Sequence, residues 1–309
     1  MTTLLLTSPL SLEHPVPPGH PERPDRMRAV AEVLAHEDFE PLVRREAQPA
    51  DPSAVLLAHP ERHLEKVRHT IPEEGMRQVD GDTHVGPRSL EAALACVGGA
   101  MAAVDAVIGG EADNAHVAMR PPGHHAEKTT AMGFCLFNTV AIAARHAQTA
   151  HGLERVAIVD FDVHHGNGTQ DIFWDDPTVL FASTHQMPLY PGTGAKGEAG
   201  EHDQIINAPL SPGDGGTRFR EAFSARVLPR LAEFRPDLVL VSAGFDAHHR
   251  DPLAEIELTE DDFDWATGKL MDVADRHAEG RMVSLLEGGY DLQGLARSDA
   301  AHVKRMMRG

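Results

Sequence analysis

Hydrophobic positions along the chain fall into short, almost unbroken apolar runs separated by longer stretches of helical periodicity. The runs at Thr3–Thr7, His116–Met119, Arg155–Asp160, Val179–Ser183, Ile205–Leu210, Leu238–Ala243 and Met282–Leu286 read as strands. Continuous apolar character suits strands covered on both faces, the condition of a parallel sheet. Amphipathic stretches at Arg23–Ala35, Ser89–Ile108, Phe137–Ala150, Thr217–Phe234, Thr259–Ala278 and Leu292–Met307 read as helices between them. "TEDD" at 259–262 supplies a cap and first-turn acids for one of these. The alternation predicts one α/β domain over residues 1–309, a parallel sheet with helices on both faces. Two segments break the rhythm: "HPVPPGHPERPDR" (14–26) and the long connection "HQMPLYPGTGAKGEAGEHD" (185–203). Long irregular connections in compact domains usually carry function or move.

Bulk properties narrow this only slightly. Hydrophobic residues are 41% and charged residues 24% of 309, an ordinary globular composition. Net charge is 28 − 47 = −19, so the overall field opposes nucleic acid and anionic membrane and favours a cationic ligand. Two widely spaced cysteines, Cys96 and Cys135, make no disulfide framework. Together with an N-terminus lacking a basic leader region they point to the cytoplasm. No run approaches the length a membrane span requires.

The chemistry concentrates after four of the strands. "RPPGHHA" (120–126), "DFDVHHGNG" (160–168), "SAGFDAHHRDP" (242–252) and "LEGGYD" (286–291) each follow an apolar run. Ligands of open parallel sheets bind beyond the carboxyl ends of strands. If the Arg155–Asp160 strand stays extended to residue 164, Asp160, Asp162 and His164 share one face. Asp162 and His164 then meet one cation, with Asp246 the best third ligand. Two carboxylates, one imidazole and an open position describe a catalytic metal site for Zn²⁺ or Fe²⁺. Such a neutralised ion activates water weakly, so a nearby general base is wanted. The tandem histidines His124 and His125 need separate partners, for which Asp160 and Asn167 are candidates. Tyr290 offers a phenol to a developing oxyanion, and its flanking glycines permit close approach. Cys135 sits among apolar residues and reads as core. His165 faces away from the metal by alternation and reads as structural.

These residues resemble a known family. "HPERPDR", "RPPGHHA", "GFCLFN", "VDFDVHHGNGTQDIF", "SAGFDAH" and "LEGGYDL" occur in the order of the histone deacetylase superfamily, over residues 14 to 300. The pattern is most similar to class II and bacterial members, among them histone-deacetylase-like amidohydrolases, acetylpolyamine amidohydrolases and acetoin-utilisation deacetylases. The resemblance implies an arginase-like α/β fold and zinc-dependent removal of an acyl group from an amine. It implies Asp162, His164 and Asp246 as zinc ligands, His125 as general base and acid, and His124 as its neighbour paired with Asp160. Tyr290 would hold the carbonyl oxygen, and Gly133 and Phe134 would line the acyl tunnel, with Tyr190 at its rim. A structural K⁺ near Asp160 and Ser183 is implied too. Asn167 stands where class I relatives have Asp, and Thr139 replaces the second Asn of the common "FNN". The alternatives weighed are a dimetal ureohydrolase of arginase type and a non-catalytic binder of acylated amines. Glu73, Glu74 or Asp82 is expected to meet the substrate. Whether that is an acetyl-lysine peptide or an acetylpolyamine, and the oligomeric state, stay open.

Overall fold

A computed structural model describes all residues 1–309. Ten strands form in chain order: β1 (Thr3–Thr7), β2 (Val43–Glu46), β3 (Arg77–Gln78), β4 (His84–Val85), β5 (Asn114–Val117), β6 (Val156–Asp160), β7 (Val179–Gln186), β8 (Ile205–Leu210), β9 (Leu238–Ala243) and β10 (Met282–Leu286). Eight of them pair in the order β2-β1-β5-β10-β9-β6-β7-β8. Every pairing in this sheet is parallel. β3 and β4 make a separate antiparallel pair. The helices are α1 (Asp25–Leu34), α2 (Glu61–Thr70), α3 (Ser89–Ile108), α4 (Thr139–His151), α5 (Asn167–Ile172), α6 (Gly216–Ala222), α7 (Leu228–Phe234), α8 (Glu260–His277) and α9 (Leu292–Arg308).

Strand alternation divides the core in two. On β6, Ala157 and Val159 join one apolar cluster with α1, α8 and α9, while Val156 and Ile158 join another with α3 and α4. On β9, Val239 and Val241 face the first and Leu238 and Leu240 the second. Apolar side chains on both faces explain the unbroken runs in the sequence. The predicted α/β architecture, a parallel sheet between two helical layers, is therefore observed.

Local departures have physical reasons. β2 reads Val-Arg-Arg-Glu, with every residue exposed; it is an edge strand, where charged side chains discourage further pairing and erase the apolar signal. α2 buries only His63, Leu64 and Val67 of its ten residues, too few to announce a core-facing helix. The stretch expected as one helix over 217–234 is broken by a π-turn at Phe223–Val227, just before Pro229. Proline lacks the N–H that the ladder would use there, and the wider turn accommodates it. The β5 strand lies two residues earlier than the pattern suggested. α3 forms at its predicted bounds, but against expectation it is long and apolar enough to match a membrane span. α3 has 20 residues with mean hydropathy 1.7 over an 18-residue window, and 67% of that window is buried. It is apolar because it packs beneath the sheet against α4 and β5.

Candidate active site and metal centre

β5, β10, β9 and β6 are consecutive neighbours in the sheet, so the four polar clusters that follow them arrive at one edge. The expectation that β6 continues to His164 is corrected, because the strand ends at Asp160. The chain then turns on its own carboxylates. Asp162 N–H donates to Asp160 Oδ1 at 3.1 Å, and His164 N–H donates to Asp162 Oδ1 at 2.9 Å. Short acidic side chains favour such local bonds over a continued ladder. The turn still brings Asp162 and His164 together. His164 Nδ1 lies 3.2 Å from Asp162 Oδ1 and 3.0 Å from Asp246 Oδ2.

Asp246 follows β9 and is held by Val163 N–H on its Oδ1 at 2.8 Å. The donor atoms of Asp162, His164 and Asp246 lie within 4.8 Å of one another, and all three residues are buried. Only histidines approach the two carboxylates within ion-pair distance. Two buried acids without a lysine or arginine partner are costly to keep ionised, and a divalent cation meets that need. This donor set, two carboxylates and an imidazole with one side open, fits Zn²⁺ or Fe²⁺ in a catalytic setting. Glycines leave the room. A Cβ at Gly244 would fall 2.0 Å from Asp162 Oδ2, and one at Gly288 would fall 2.2 Å from Asp246 Oδ2. Gly288 N–H donates to Asp162 Oδ2 at 2.8 Å.

The tandem histidines occupy the loop after β5 and have unlike partners. His124 Nδ1 bonds Asp160 Oδ2 at 2.9 Å, and His125 Nδ1 bonds Asn167 Oδ1 at 2.8 Å. Asn167 donates its Nδ2 to Glu127 Oε1 at 2.9 Å, which fixes the amide so that its oxygen faces His125. An amide oxygen only accepts, so His125 carries its proton on Nδ1 and leaves Nε2 free. Burial alone would lower both imidazole pKa values. For His124 the carboxylates of Asp160, Asp162 and Glu287 outweigh burial and raise it well above the ordinary 6.5. For His125 burial prevails, reinforced by His124 and His164, and holds it well below 6.5. The ring centroids are 4.0 Å apart. The site therefore pairs a charged imidazole with a neutral one, the separation that assigns acid–base roles.

Tyr290 follows β10 through Gly288 and Gly289, the latter at φ +123°. Its N–H donates to Asp251 Oδ2 at 2.7 Å, and the Arg26 guanidinium lies 5.0 Å from its ring centroid. Burial and then the Asp246 carboxylate raise its pKa well above 10, so the phenol keeps its proton and can donate it in a hydrogen bond.

A cavity of about 680 Å³ reaches His125, His164 and Tyr290, which are buried, and is walled by Gly133, Phe134 and Tyr190. Gly133 (φ +56°) cannot carry a side chain, since a Cβ would meet His125 Cδ2 at 2.5 Å. Phe134 holds a positive φ of 69° that its N–H bond to Thr83 Oγ1, 2.9 Å, helps to fix. A bulky residue in this region is a strained position, and its ring forms a wall of the cavity. Tyr190 sets its ring edge-on to His125 at 5.2 Å. Of the three rim acids, Asp82 lines the cavity, while Glu73 and Glu74 are exposed outside it. Ser183 stands beside Asp160 in register on β7, with its Oγ 2.8 Å from His185 Nδ1. His165 bonds Thr193 Oγ1 and Gln170 Oε1; it anchors the 185–203 loop and takes no place at the metal cluster. Cys96 and Cys135 are both buried and unpaired.

Three supports escaped sequence reasoning. Glu287 lies inside the "LEGGYD" stretch, yet its role depends on distant groups. Its Oε2 accepts from Gly123 N–H at 2.7 Å and His124 N–H at 3.2 Å, and its Oε1 from Ser242 Oγ at 3.0 Å. It thus clamps the histidine loop to the ends of β9 and β10. Asp251 fixes the Tyr290 backbone. Glu22, Arg26 and Arg120 form a fully buried ion cluster behind the site. An acid next to an apolar strand end was the only sequence signal for Glu287.

The chain is similar to known proteins over most of its length. The sequence model of the histone deacetylase domain matches residues 20–306. An uncharacterized protein of Synechocystis is 42% identical over 301 residues, covering 96% of each chain. The histone deacetylase-like amidohydrolase of Pseudomonas aeruginosa is 41% identical over 292 residues, covering 92% of this chain and 77% of its own length. The crystal structure of the HDA15 HD domain superposes with a TM-score of 0.93 at 36% identity, covering 99% of this chain and 89% of that one.

Proposed function

For this chain, which belongs to the histone deacetylase family, we propose a zinc-dependent amidohydrolase that removes acetyl or a related acyl group from an amine. The reading is carried by one convergence. The Asp162–His164–Asp246 cluster, a neutral imidazole and a proton-bearing phenol meet at one end of a single cavity. Asp162, His164 and Asp246 hold the ion, Zn²⁺ in preference to Fe²⁺. Zinc there supplies Lewis acidity toward the amide carbonyl and toward water. His125 Nε2 takes the proton of the attacking water and passes it to the departing amine. His124, kept charged by Asp160, lends positive potential beside it. The Tyr290 phenol donates to the carbonyl oxygen as negative charge builds there. Gly133, Phe134 and Tyr190 enclose the acyl chain, and Asp82 offers a carboxylate to a cationic amine at the mouth. The substrate class is an acetyl-lysine peptide or an acetylpolyamine. A K⁺ ion beside Asp160 and Ser183, a cytoplasmic location for the two unpaired thiols, and a single catalytic domain over 1–309 belong to the same proposal.

A dimetal ureohydrolase would need further carboxylates. Val163 and His165 stand where such acids would be wanted, and His165 is committed to Thr193 and Gln170. Binding without turnover would leave the unlike protonation of His124 and His125 without a use.

The test is acetate release from acetyl-lysine peptides and acetylpolyamines after Zn²⁺ is restored. Tyr290→Phe is expected to lower kcat by about 10²–10³-fold, the effect of removing one oxyanion donor, with zinc content unchanged. Equal rates for Tyr290→Phe and the parent enzyme would refute the assigned role. Gly288→Ala places a methyl group against Asp246 and Asp162. It is expected to weaken zinc retention about 10–100-fold, as loss of ligand support does. Competition with a chromophoric chelator measures this, and parental affinity would count against the ligand assignment.

A further inference from the structure

A second group of metal-type donors lies outside the cavity. Asp105 is on α3, and His146 and His151 are on α4. His146 Nε2 and His151 Nε2 each lie 2.6 Å from the same oxygen, Asp105 Oδ1. The three donors lie within 4.8 Å of one another. Residues five apart on a helix diverge by about 140°, so the two imidazoles do not converge by default. They meet because α4 ends at His151, where Gly152 takes φ +70° and releases the chain. The rings stand edge to face with centroids 5.5 Å apart. The His146 side chain is only 12% exposed and is held by packing between the two helices, while His151, its side chain 25% exposed, lies at the surface beside Asp105. Sites carried on helices hold geometry better than sites on loops. The location is remote from the cavity: α4 starts beside Asn138, which bonds the Ala126 carbonyl of the histidine loop, and its 13 residues rise about 20 Å to His151.

We propose that Asp105, His146 and His151 form a second transition-metal site, which cross-links the ends of α3 and α4. Two imidazoles and one carboxylate select Zn²⁺, Ni²⁺ or Cu²⁺ over Mg²⁺ and Ca²⁺, which prefer oxygen ligands throughout. Donors around a tetrahedral zinc stand about 3.3 Å apart, so Asp105 must swing back by about 0.7 Å, and its side chain is 53% exposed. Water would complete the shell, and because the cluster lies outside the acyl cavity the ion acts by tying the two helices together. Without the ion the cluster is a surface ion-pair network, whose contribution is small.

Equilibrium dialysis of the zinc-loaded enzyme against a fixed excess of Zn²⁺, followed by metal analysis, counts the ions bound. The parent chain is expected to hold one equivalent more than the His146→Gln/His151→Gln double variant. Its melting temperature should rise on adding Zn²⁺, while that of the variant should not. Deacylase activity should be the same in both. Asp105→Asn, which changes one exposed atom, should weaken the extra equivalent more than about tenfold and guards against a folding defect in the double variant. Equal stoichiometry in parent and double variant would overturn the proposal, as would parental affinity in both variants. The readout is a difference between proteins that share the cavity cluster, so it stands or falls separately from the proposed activity.

Discussion

Replacing His125 with alanine is expected to lower kcat on acetyl-lysine peptide or acetylpolyamine by about 10²–10⁴-fold, the range for loss of a positioned acid–base group. Zinc content and melting temperature should stay near parental, because His125 is not among the three metal-type donors. The asymmetry with its neighbour is the stricter test. His124 is held charged by Asp160, whereas His125 is neutral with Nε2 free toward the cavity. Only the neutral ring can accept a proton at neutral pH. Burial sets the His125 pKa below 6.5, with His124 and His164 adding to it. The parent enzyme should therefore stay active down through pH 6.5 and lose activity only as pH falls below that value. Stopped-flow or acetate-release kinetics across pH 4.5–8 measure both limbs. An alanine variant retaining parental kcat would remove His125 from the mechanism.

The largest stability effect is expected from Glu22→Ala. Glu22 is fully buried and pairs with two fully buried arginines. Arg120 Nε and Nη2 each donate to its carboxylate at 2.6 Å, and Arg26 Nη1 donates at 3.1 Å. Removing one partner of such a cluster strands the other charges in a medium that cannot solvate them, at a cost of about 3–5 kcal/mol. For a chain of this size that corresponds to a drop in melting temperature on the order of 10 °C. The pH dependence carries a sign. Burial alone would raise the Glu22 pKa, but Arg120 and then Arg26 outweigh it and hold it at about 2, below the ordinary 4.5. The contribution is thus complete above pH 4.5 and is lost as pH falls from there toward 2, by up to about 1.4 kcal/mol per pH unit. Urea unfolding of parent and Glu22→Gln at pH 7, 4 and 3 should show the parent losing its advantage only in that window. A constant difference would contradict the assignment. Activity should fall as well, since Arg26 donates from Nε to the Gly289 carbonyl at 2.7 Å and from Nη2 to the Glu287 carbonyl at 2.5 Å. The cluster thereby braces the turn that presents Tyr290.

How legible the site was varies residue by residue. Asp162 and His164 are two apart, and spacing alone brought them together; the detail that failed was the reason. The chain turns at Asp160 instead of staying extended, because local carboxylate–amide bonds replace the strand ladder. Asp246 was reached through the position of its cluster after a strand, although it lies 82 residues from His164. Tyr290 was found by the same reasoning. Residue pattern framed the partition of His124 and His125 without deciding it, and only the family resemblance supplied the assignment. It depends on which ring meets a carboxylate and which meets an amide, and those partners come from a different strand and from α5.

Composition and periodicity by themselves determined the α/β class, the buried parallel strands and the clustering of chemistry at their carboxyl ends. Those properties follow from local pattern, because a strand covered on both faces must be apolar throughout. The sequence could not decide the β2 edge strand or α2, whose short and polar stretches carry little burial signal. Nor could it place Glu287, Asp251 or the Glu22 cluster. Their worth comes from bonds between residues far apart in the chain, such as Glu22 with Arg120 across 98 positions and Glu287 with Gly123 across 164. An acid pattern carries no record of which buried donors it will meet. Only folding brings them together, and the low dielectric there turns an ordinary carboxylate into a clamp.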